Sequence, residues 1–544
     1  MNSAVLLILI LIAYASAFRL YGSFLSRTFN LDPNRKTPAE EINDGTDFVP
    51  AKNWIVLFGH HFSSICGAGP IIGPVLAVSY WGWGVSVVWI FVGAILMGAV
   101  ADFSSLIVSV RSRGQSISVI AGTEISDRAK WFFSVFLWVA LILVVAVFSI
   151  FGAKTFIQEP DAVVPSFGLI PVAMIVGWMM YRTRIHQGIS TVFGLSCLAF
   201  LLAAGVYFPL NMPVLFGMKP DTVWIVILLI YCFFASVMPV QILLQPRDYL
   251  ASFILFAVIV LGLAGIFTNH PQMQSDFYSG WENPEWAKAG PLWPMMFVTV
   301  ACGAISGFHS VVSSGTTCKQ LSSESHACRI GYGGMLLESV VAVMVLICVG
   351  AGMSNDQLRT ALQAGGPISA FSQGYGAVTE IFLGGYGKLL AVLGLNAFIL
   401  TTLDSATRIT RYLTSEVFGI NNKYLATGVV VLIGGGLALS GQWVVLWPAF
   451  GASNQLIAAI ALLITTCWLM NRGKSFRFVL IPAVLMMITT MGAFTYQLKQ
   501  ALTSHSGKPD WMLVSLTAVL IILGTVVFAE ALRVMAKKRK MMKI

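Results

Sequence analysis

The stretch Phe58-Gly59-His60-His61-Phe62-Ser63-Ser64-Ile65-Cys66-Gly67-Ala68-Gly69-Pro70-Ile71-Ile72-Gly73-Pro74 sits inside an apolar run, yet it resists reading as one continuous helix. It holds four glycines, two prolines, two histidines and two serines. Proline removes a backbone donor and glycine weakens a helix. In lipid the freed carbonyls and amides must find partners. Such a break is tolerated where backbone lines a cavity, and interrupted helices are how transporters build a site near the bilayer midplane.

A second stretch repeats the theme in the other half of the chain: Ala301-Cys302-Gly303-Ala304-Ile305-Ser306-Gly307-Phe308-His309-Ser310-Val311-Val312-Ser313-Ser314-Gly315-Thr316-Thr317. Both contain Cys-Gly-Ala and a nearby histidine with paired serines. Glycine alone would fit a close helix–helix packing face. Histidine beside glycine and proline points instead to a binding site.

Working outward, the 544 residues are 57% hydrophobic and only 10% charged. A soluble domain carries roughly 25% charged residues, and one core of this size could not hide so much apolar surface. The reading is an all-α polytopic membrane protein with about 15 transmembrane helices. The lipid bilayer is the solvent of its outer faces. The net charge of +10 does not point to nucleic acid, because the basic residues lie between apolar runs. The eight cysteines lie in or beside apolar segments with no CxxC, and read as buried thiols.

With the N-terminus outside, only Lys154, Lys219, Lys288, Arg359, Lys388, Lys499 and Lys508 of the 33 lysines and arginines fall on the outer side. The positive-inside rule then fixes the N-terminus outside and the C-terminus in the cytoplasm. The expected localisation is a bacterial cytoplasmic (inner) membrane, crossed many times.

The organisation follows from counting spans. Residues 1–24 form an extra N-terminal helix, read as retained rather than as a cleaved leader. Residues 54–208 form a first set of five helices, 221–268 an inserted pair, and 292–470 a second set of five. Residues 477–535 form two C-terminal helices, and 536–544 a basic cytoplasmic tail with Lys537, Lys538, Arg539, Lys540 and Lys543. Each set of five opens on a break, and the two run in opposite directions. That is a LeuT-like inverted five-plus-five repeat with extra helices. Residues 269–291 and 353–385 read as long outer connections.

The candidate substrate-binding residues are His60, His61, Ser63, Ser64, Gly67, Gly69, Ser306, His309 and Ser310. Half-helix N-termini favour a carboxylate. The candidate coupling-ion residues are Thr401, Thr402, Asp404 and Ser405 on one helix, and Glu338, a proton-relay candidate in span 328–352. A competing role for Asp404 is a salt bridge to Arg408 one turn on. Asp102 and Glu380, like Glu338, are acidic groups in or near apolar spans, of the kind that usually faces the bundle interior; the competing role for Asp102 is a pairing with Arg111 or Arg113 at the inner surface. Gln245-Pro246-Arg247-Asp248-Tyr249 reads as a polar inner turn joining two helices. No cofactor is expected beyond a coupling H⁺ or Na⁺.

The first stretch resembles the signature of the carbon starvation protein A family. Leu244-Gln245-Pro246-Arg247-Asp248-Tyr249-Leu250, Ser306-Gly307-Phe308-His309-Ser310, and Asp102-Phe103-Ser104-Ser105 followed by Ser109, Arg111 and Gly114 match that family's pattern too. The resemblance implies uptake of peptides during carbon starvation, or proton-driven uptake of pyruvate. It also implies the inverted-repeat fold of the amino acid–polyamine–organocation superfamily.

The leading expectation is a cation-coupled symporter, not an enzyme, whose partner is a small peptide or carboxylate. Competing readings are a channel or nutrient sensor for the same solutes, and an intramembrane zinc enzyme using His60, His61 and His309. The absence of HExxH and of an evident general base argues against the enzyme. The oligomeric state is open at this level.

Overall fold

The computed structural model describes residues 1–544 except 46, 52, 184, 216, 240–241, 283–288, 441, 504–508 and 542–544, and without the side chains of 181, 182, 187, 245 and 538–541. Lys288 and Lys508, placed on the outer side above, lie outside the described residues. So do Lys543 and the side chains of Lys538, Arg539 and Lys540 of the basic tail.

Regular structure among the described residues is helical, with two isolated β-bridges. Among the described residues twelve helices are long and apolar enough to cross a bilayer, and the bent pair Trp54–Ile65 and Gly69–Trp81 makes thirteen when counted as one broken span. Helix Lys423–Leu439 is apolar but shorter, and 292–315 is a chain of short helical pieces. A count of about fifteen requires counting these last two as spans.

The reading of 353–385 as an open connection is corrected. These residues form helix Asn355–Leu383, jointed at Gly366, whose φ is 71°. Ser354 and Gln357 close a reciprocal capping box at its start. Small residues let its second half lie close to its neighbour: a Cβ on Gly374 would come within 2.6 Å of the Cys348 carbonyl oxygen. The segment lacks the apolar run that marks a span, so hydropathy alone reads it as a loop. Glu380 is exposed on this helix and does not face the interior.

The centre of the bundle is built by the first broken helix, 292–315, and helices Gly333–Gly352, Gly387–Phe418 and Trp443–Asn471. Helices Val163–Arg182 and Gln187–Tyr207 pack mainly on each other and on Leu244–Asn269. Of the pair expected as an insertion, Pro220–Val237 packs against Asp127–Gln158, Lys423–Leu439 and Gly387–Phe418, whereas against Asn355–Leu383 and Gly387–Phe418 packs helix Leu244–Asn269. The latter also meets the first broken helix, with Phe62 and Phe256 stacked at 5.8 Å.

Candidate substrate and ion site

The first break opens at Cys66. Helix Trp54–Ile65 ends there in extended backbone (φ −75°, ψ 98°), and the chain restarts at Gly69 with Pro70 in its first turn. The two pieces are bent by 48°. The second break falls at Ile305 and Ser306, both extended, between Ala301–Ala304 and Gly307–Gly315. The two breaks lie against each other: a Cβ on Gly69 would overlap the Cys302 side chain, and one on Gly303 would stand 3.6 Å from Pro70 Cα. Several of these glycines therefore serve close approach of backbone.

Between the breaks lies a narrow cavity, with room for about one water molecule in this conformation. Gly67, Gly69, Ser306, Thr402 and Asn454 bring polar atoms to its wall, and Phe148, Phe308 and Phe450 close it. The amide N–H groups of Gly67, Ala68 and Gly69 have no acceptor among the described residues. Those of Ser306 and Gly307 also lack one, while Phe308 N–H donates to Asn454 Oδ1 at 2.8 Å. Thr402 Oγ1 is buried without a hydrogen-bond partner, and it would stand 2.9 Å from a Cβ on Gly67. Unpaired amides at a helix start, together with a free hydroxyl on the cavity wall, are groups that can bind an anion.

Behind the second break the ionisable residues join into one buried group. His61 Nδ1 lies 2.9 Å from Thr317 Oγ1, and its Nε2 lies 3.1 Å from Asp102 Oδ2. His309 Nδ1 lies 3.6 Å from the same Asp102 oxygen, and His309 Nε2 lies 2.8 Å from Glu338 Oε2. Ser313 donates to Asp102 Oδ1. All four ionisable side chains are fully buried. Asp102 thus pairs with two histidines and not with Arg111, whose guanidinium binds Glu324 and the Phe29 carbonyl instead. Arg111 belongs to the end of its helix, too far along to turn back to Asp102 nine residues earlier.

A second buried group surrounds Asp404. Arg247 and the Tyr231 hydroxyl both donate to Asp404 Oδ2, the latter at 2.6 Å. Arg247 also reaches Thr401 Oγ1 at 3.3 Å. The expected Asp404–Arg408 bridge is replaced: Arg408 donates to the carbonyls of Ala235 and Met238 at 2.7 and 2.6 Å. Arg247 is therefore no surface turn residue. Its helix, which begins at Leu244, carries it into the bundle 2% exposed.

The structure thus divides the expected site residues. Gly67, Gly69, Ser306 and Thr402 line the cavity. His61, His309 and Glu338 join Asp102 behind it. Thr401 and Asp404 join Arg247. Ser310 is buried beside His309, its hydroxyl without a partner. Ser63 bonds the His60 carbonyl at 3.1 Å, Ser64 is buried, and Ser405 is half-buried. His60 is half-buried, with Nε2 unpartnered, and does not join His61 and His309. The three histidines are not one ligand set, and among the described residues no such group is arranged to hold a metal ion. Asn454 and Arg247 are not among the expected site residues; Arg247 stands in the family-like motif of residues 244–250, which reads as a turn, and nothing in the local pattern of Asn454 distinguishes it.

The family model for carbon starvation protein CstA matches residues 2–357 and 351–493. A peptide transporter CstA of Bacillus subtilis is 31% identical over 99% of this chain and 98% of its own length. One of Campylobacter jejuni is 33% identical over 88% of this chain and 78% of its own. The pyruvate/proton symporter BtsT of Escherichia coli is 32% identical over 89% of this chain and 80% of its own. Among solved structures, a mutant manganese transporter of Eremococcus coleocola superposes with a TM-score of 0.52 over 92% of this chain and 99% of that one, at 12% identity. That last likeness concerns the fold. The family match spans nearly the whole chain, and the chain belongs to the carbon starvation protein CstA family.

Proposed function

We propose that the chain is a secondary active transporter of a bacterial cytoplasmic membrane, importing a small carboxylate, either a short peptide or a pyruvate-like acid, together with H⁺ or Na⁺. The observation that carries this is the cavity between the two breaks, walled by free backbone amides and the Thr402 hydroxyl. A carboxylate would accept from the amides of residues 67–69 at the start of helix Gly69–Trp81, where the helix dipole favours negative charge. The phenylalanine rings would cover its apolar part. The relatives named as peptide transporters and as a pyruvate/proton symporter support this substrate class.

The architecture that goes with this reading is a LeuT-like inverted repeat of fifteen spans, with the N-terminus outside and the C-terminus inside. Packing favours one change of membership. Helices Pro220–Val237 and Leu244–Asn269 would be the fourth and fifth helices of the first repeat, because the latter meets the first break as Trp443–Asn471 meets the second. The peripheral helices Val163–Arg182 and Gln187–Tyr207 would then be the insertion.

The test is uptake by the purified full chain in proteoliposomes, with labelled pyruvate or labelled Ala-Ala and an imposed proton or sodium gradient. Accumulation above the external concentration, abolished by collapsing the gradient, is the expected result. Equilibration without accumulation under every gradient would favour a channel and sink the symporter reading.

A further inference from the structure

Asp102, His61, His309 and Glu338 form a buried cluster that the substrate cavity does not use, in which His309 stands between the two carboxylates without hydrogen-bond geometry to either. They come from four separate segments: helix Trp54–Ile65, helix Ala99–Val110, the Gly307–Gly315 piece and helix Gly333–Gly352. Two of these segments flank the breaks. An isolated buried carboxylate costs several kcal/mol even after relaxation, so four ionisable groups do not gather here for stability alone. Among the described residues, the ion-pair partners of Asp102 and Glu338 are the two histidines, with no lysine or arginine. Every partner in the group can therefore gain or lose a proton. The other titratable neighbours are Cys66 and Cys302 beside Glu338, and His60 beside His61.

The contacts are ordered. Thr317, His61, Asp102, His309 and Glu338 follow one another at 2.9, 3.1, 3.6 and 2.8 Å. The inner end, by the orientation above, is Thr317. The other end, Glu338, lies beside Cys66, at the first break, and Cys302, in the helical piece that leads into the second. His309 presents one ring nitrogen to each carboxylate, so a proton received at Nε2 from Glu338 can be matched by one released from Nδ1 to Asp102. The transfer leaves Glu338 a carboxylate and Asp102 a carboxylic acid; Asp102 passes its proton on toward His61, Glu338 takes a new one from the cavity side, and the His309 ring returns to its starting tautomer by rotation. A Na⁺ ion would need several oxygen ligands converging on one point, and here the oxygens alternate with ring nitrogens.

We infer that the coupling ion is a proton, carried by the Glu338–His309–Asp102–His61 cluster and kept apart from the carboxylate cavity. The inference rests on the symport reading above. It assigns the histidines to the ion and not to the substrate.

The test uses the full chain in proteoliposomes with labelled pyruvate or Ala-Ala. In Glu338→Gln and Asp102→Asn, accumulation driven by a pH gradient should fall about 100-fold. Exchange of labelled for unlabelled substrate at equal pH on both sides should persist, since it needs the cavity but no net proton movement. Wild-type accumulation by either variant overturns the assignment, as does loss of exchange together with accumulation in a variant that remains monodisperse. Should both variants misfold, Glu338→Asp carries the test. It keeps the acid, and its pH profile of accumulation must shift relative to wild type; an unchanged profile overturns the proposal. A substrate-free readout separates this proposal from the substrate reading. Infrared difference spectra between acid and alkaline pH should show a carboxylic acid C=O band that Glu338→Gln or Asp102→Asn removes. A spectrum that neither variant changes overturns the proton assignment, whatever the substrate proves to be.

Discussion

Asp404 and Glu338 are both buried carboxylates in membrane-crossing helices, but opposite kinds of partner hold them. Asp404 faces a guanidinium that stays charged at any pH the protein meets, with the Tyr231 hydroxyl completing the pair. Glu338 faces an imidazole, which can be neutral. The first pair is therefore fixed in charge and acts as a brace between helices Leu244–Asn269 and Gly387–Phe418. The second can change charge without leaving an ion unpaired. Burial and proximity are equal in the two groups; the partner's chemistry decides whether each is structure or switch.

The largest effect should come from breaking the fixed pair. Arg247→Ala leaves Asp404 charged, buried and without its cation, which costs about 3–5 kcal/mol. The expected outcome is a large fall in the melting temperature of the purified protein and poor recovery from membranes. The double variant Arg247→Met with Asp404→Leu should regain most of that loss, because an ion pair replaced by apolar groups of similar size is close to neutral. By contrast, Glu338→Gln should cost only about 1–3 kcal/mol, since its imidazole partner can become neutral. Equal losses in Arg247→Ala and Glu338→Gln would erase the distinction between brace and switch.

Much of this arrangement was legible in the sequence, and the rest was hidden for physical reasons. Glycine near histidine marked both breaks, with proline added in the first, because helix breakers are costly in lipid unless they line a site. The same residues did not reveal which histidine turns inward. His60 and His61 are adjacent, so they point about 100° apart on a helix, and packing alone selects His61. Glu338 was recognisable because a carboxylate deep in an apolar run needs a partner. That partner, His309, is 29 residues away in sequence, and no local pattern connects them. Arg247 was mistaken for a polar turn because Pro246 beside it looks like a terminator; it is instead in the first turn of helix Leu244–Asn269, where proline is tolerated. Helix Asn355–Leu383 was missed because its large buried side chains, among them Leu358, Ile368, Phe371 and Tyr375, are spaced out by glycine, alanine and polar residues that lower the hydropathy of the run.

A smaller effect separates the glycines that pack from the glycine that lines the cavity. A methyl group on Gly67 would stand 2.9 Å from Thr402 Oγ1 and 3.2 Å from the Phe148 ring. Gly67→Ala should therefore cost about 1–3 kcal/mol by overpacking and shrink the cavity, so that transport falls while the protein still folds. Adding Thr402→Ala relieves the closer clash. Stability should return in the double variant, while the substrate KM stays high because the hydroxyl is gone. Full recovery of transport in that double variant would show that the Thr402 hydroxyl has no part in binding.

The smallest and most selective contrast is between two adjacent threonines. Thr401 Oγ1 donates to the Ala397 carbonyl at 2.8 Å and accepts from Arg247, so it belongs to the brace. Thr402 Oγ1 has no protein partner and lines the cavity. Valine keeps the volume of threonine and removes the hydroxyl. Thr402→Val should raise the substrate KM about fivefold, the worth of one hydrogen bond of about 1 kcal/mol, with no loss of melting temperature, because no internal bond is broken. Thr401→Val should do the reverse: it removes a bond from Arg247 and lowers the melting temperature slightly, with KM unchanged. Measuring both quantities on both variants tests the division at single-residue resolution. If Thr401→Val raises KM as much as Thr402→Val does, the brace and the cavity are one site, and the separation drawn from their partners fails.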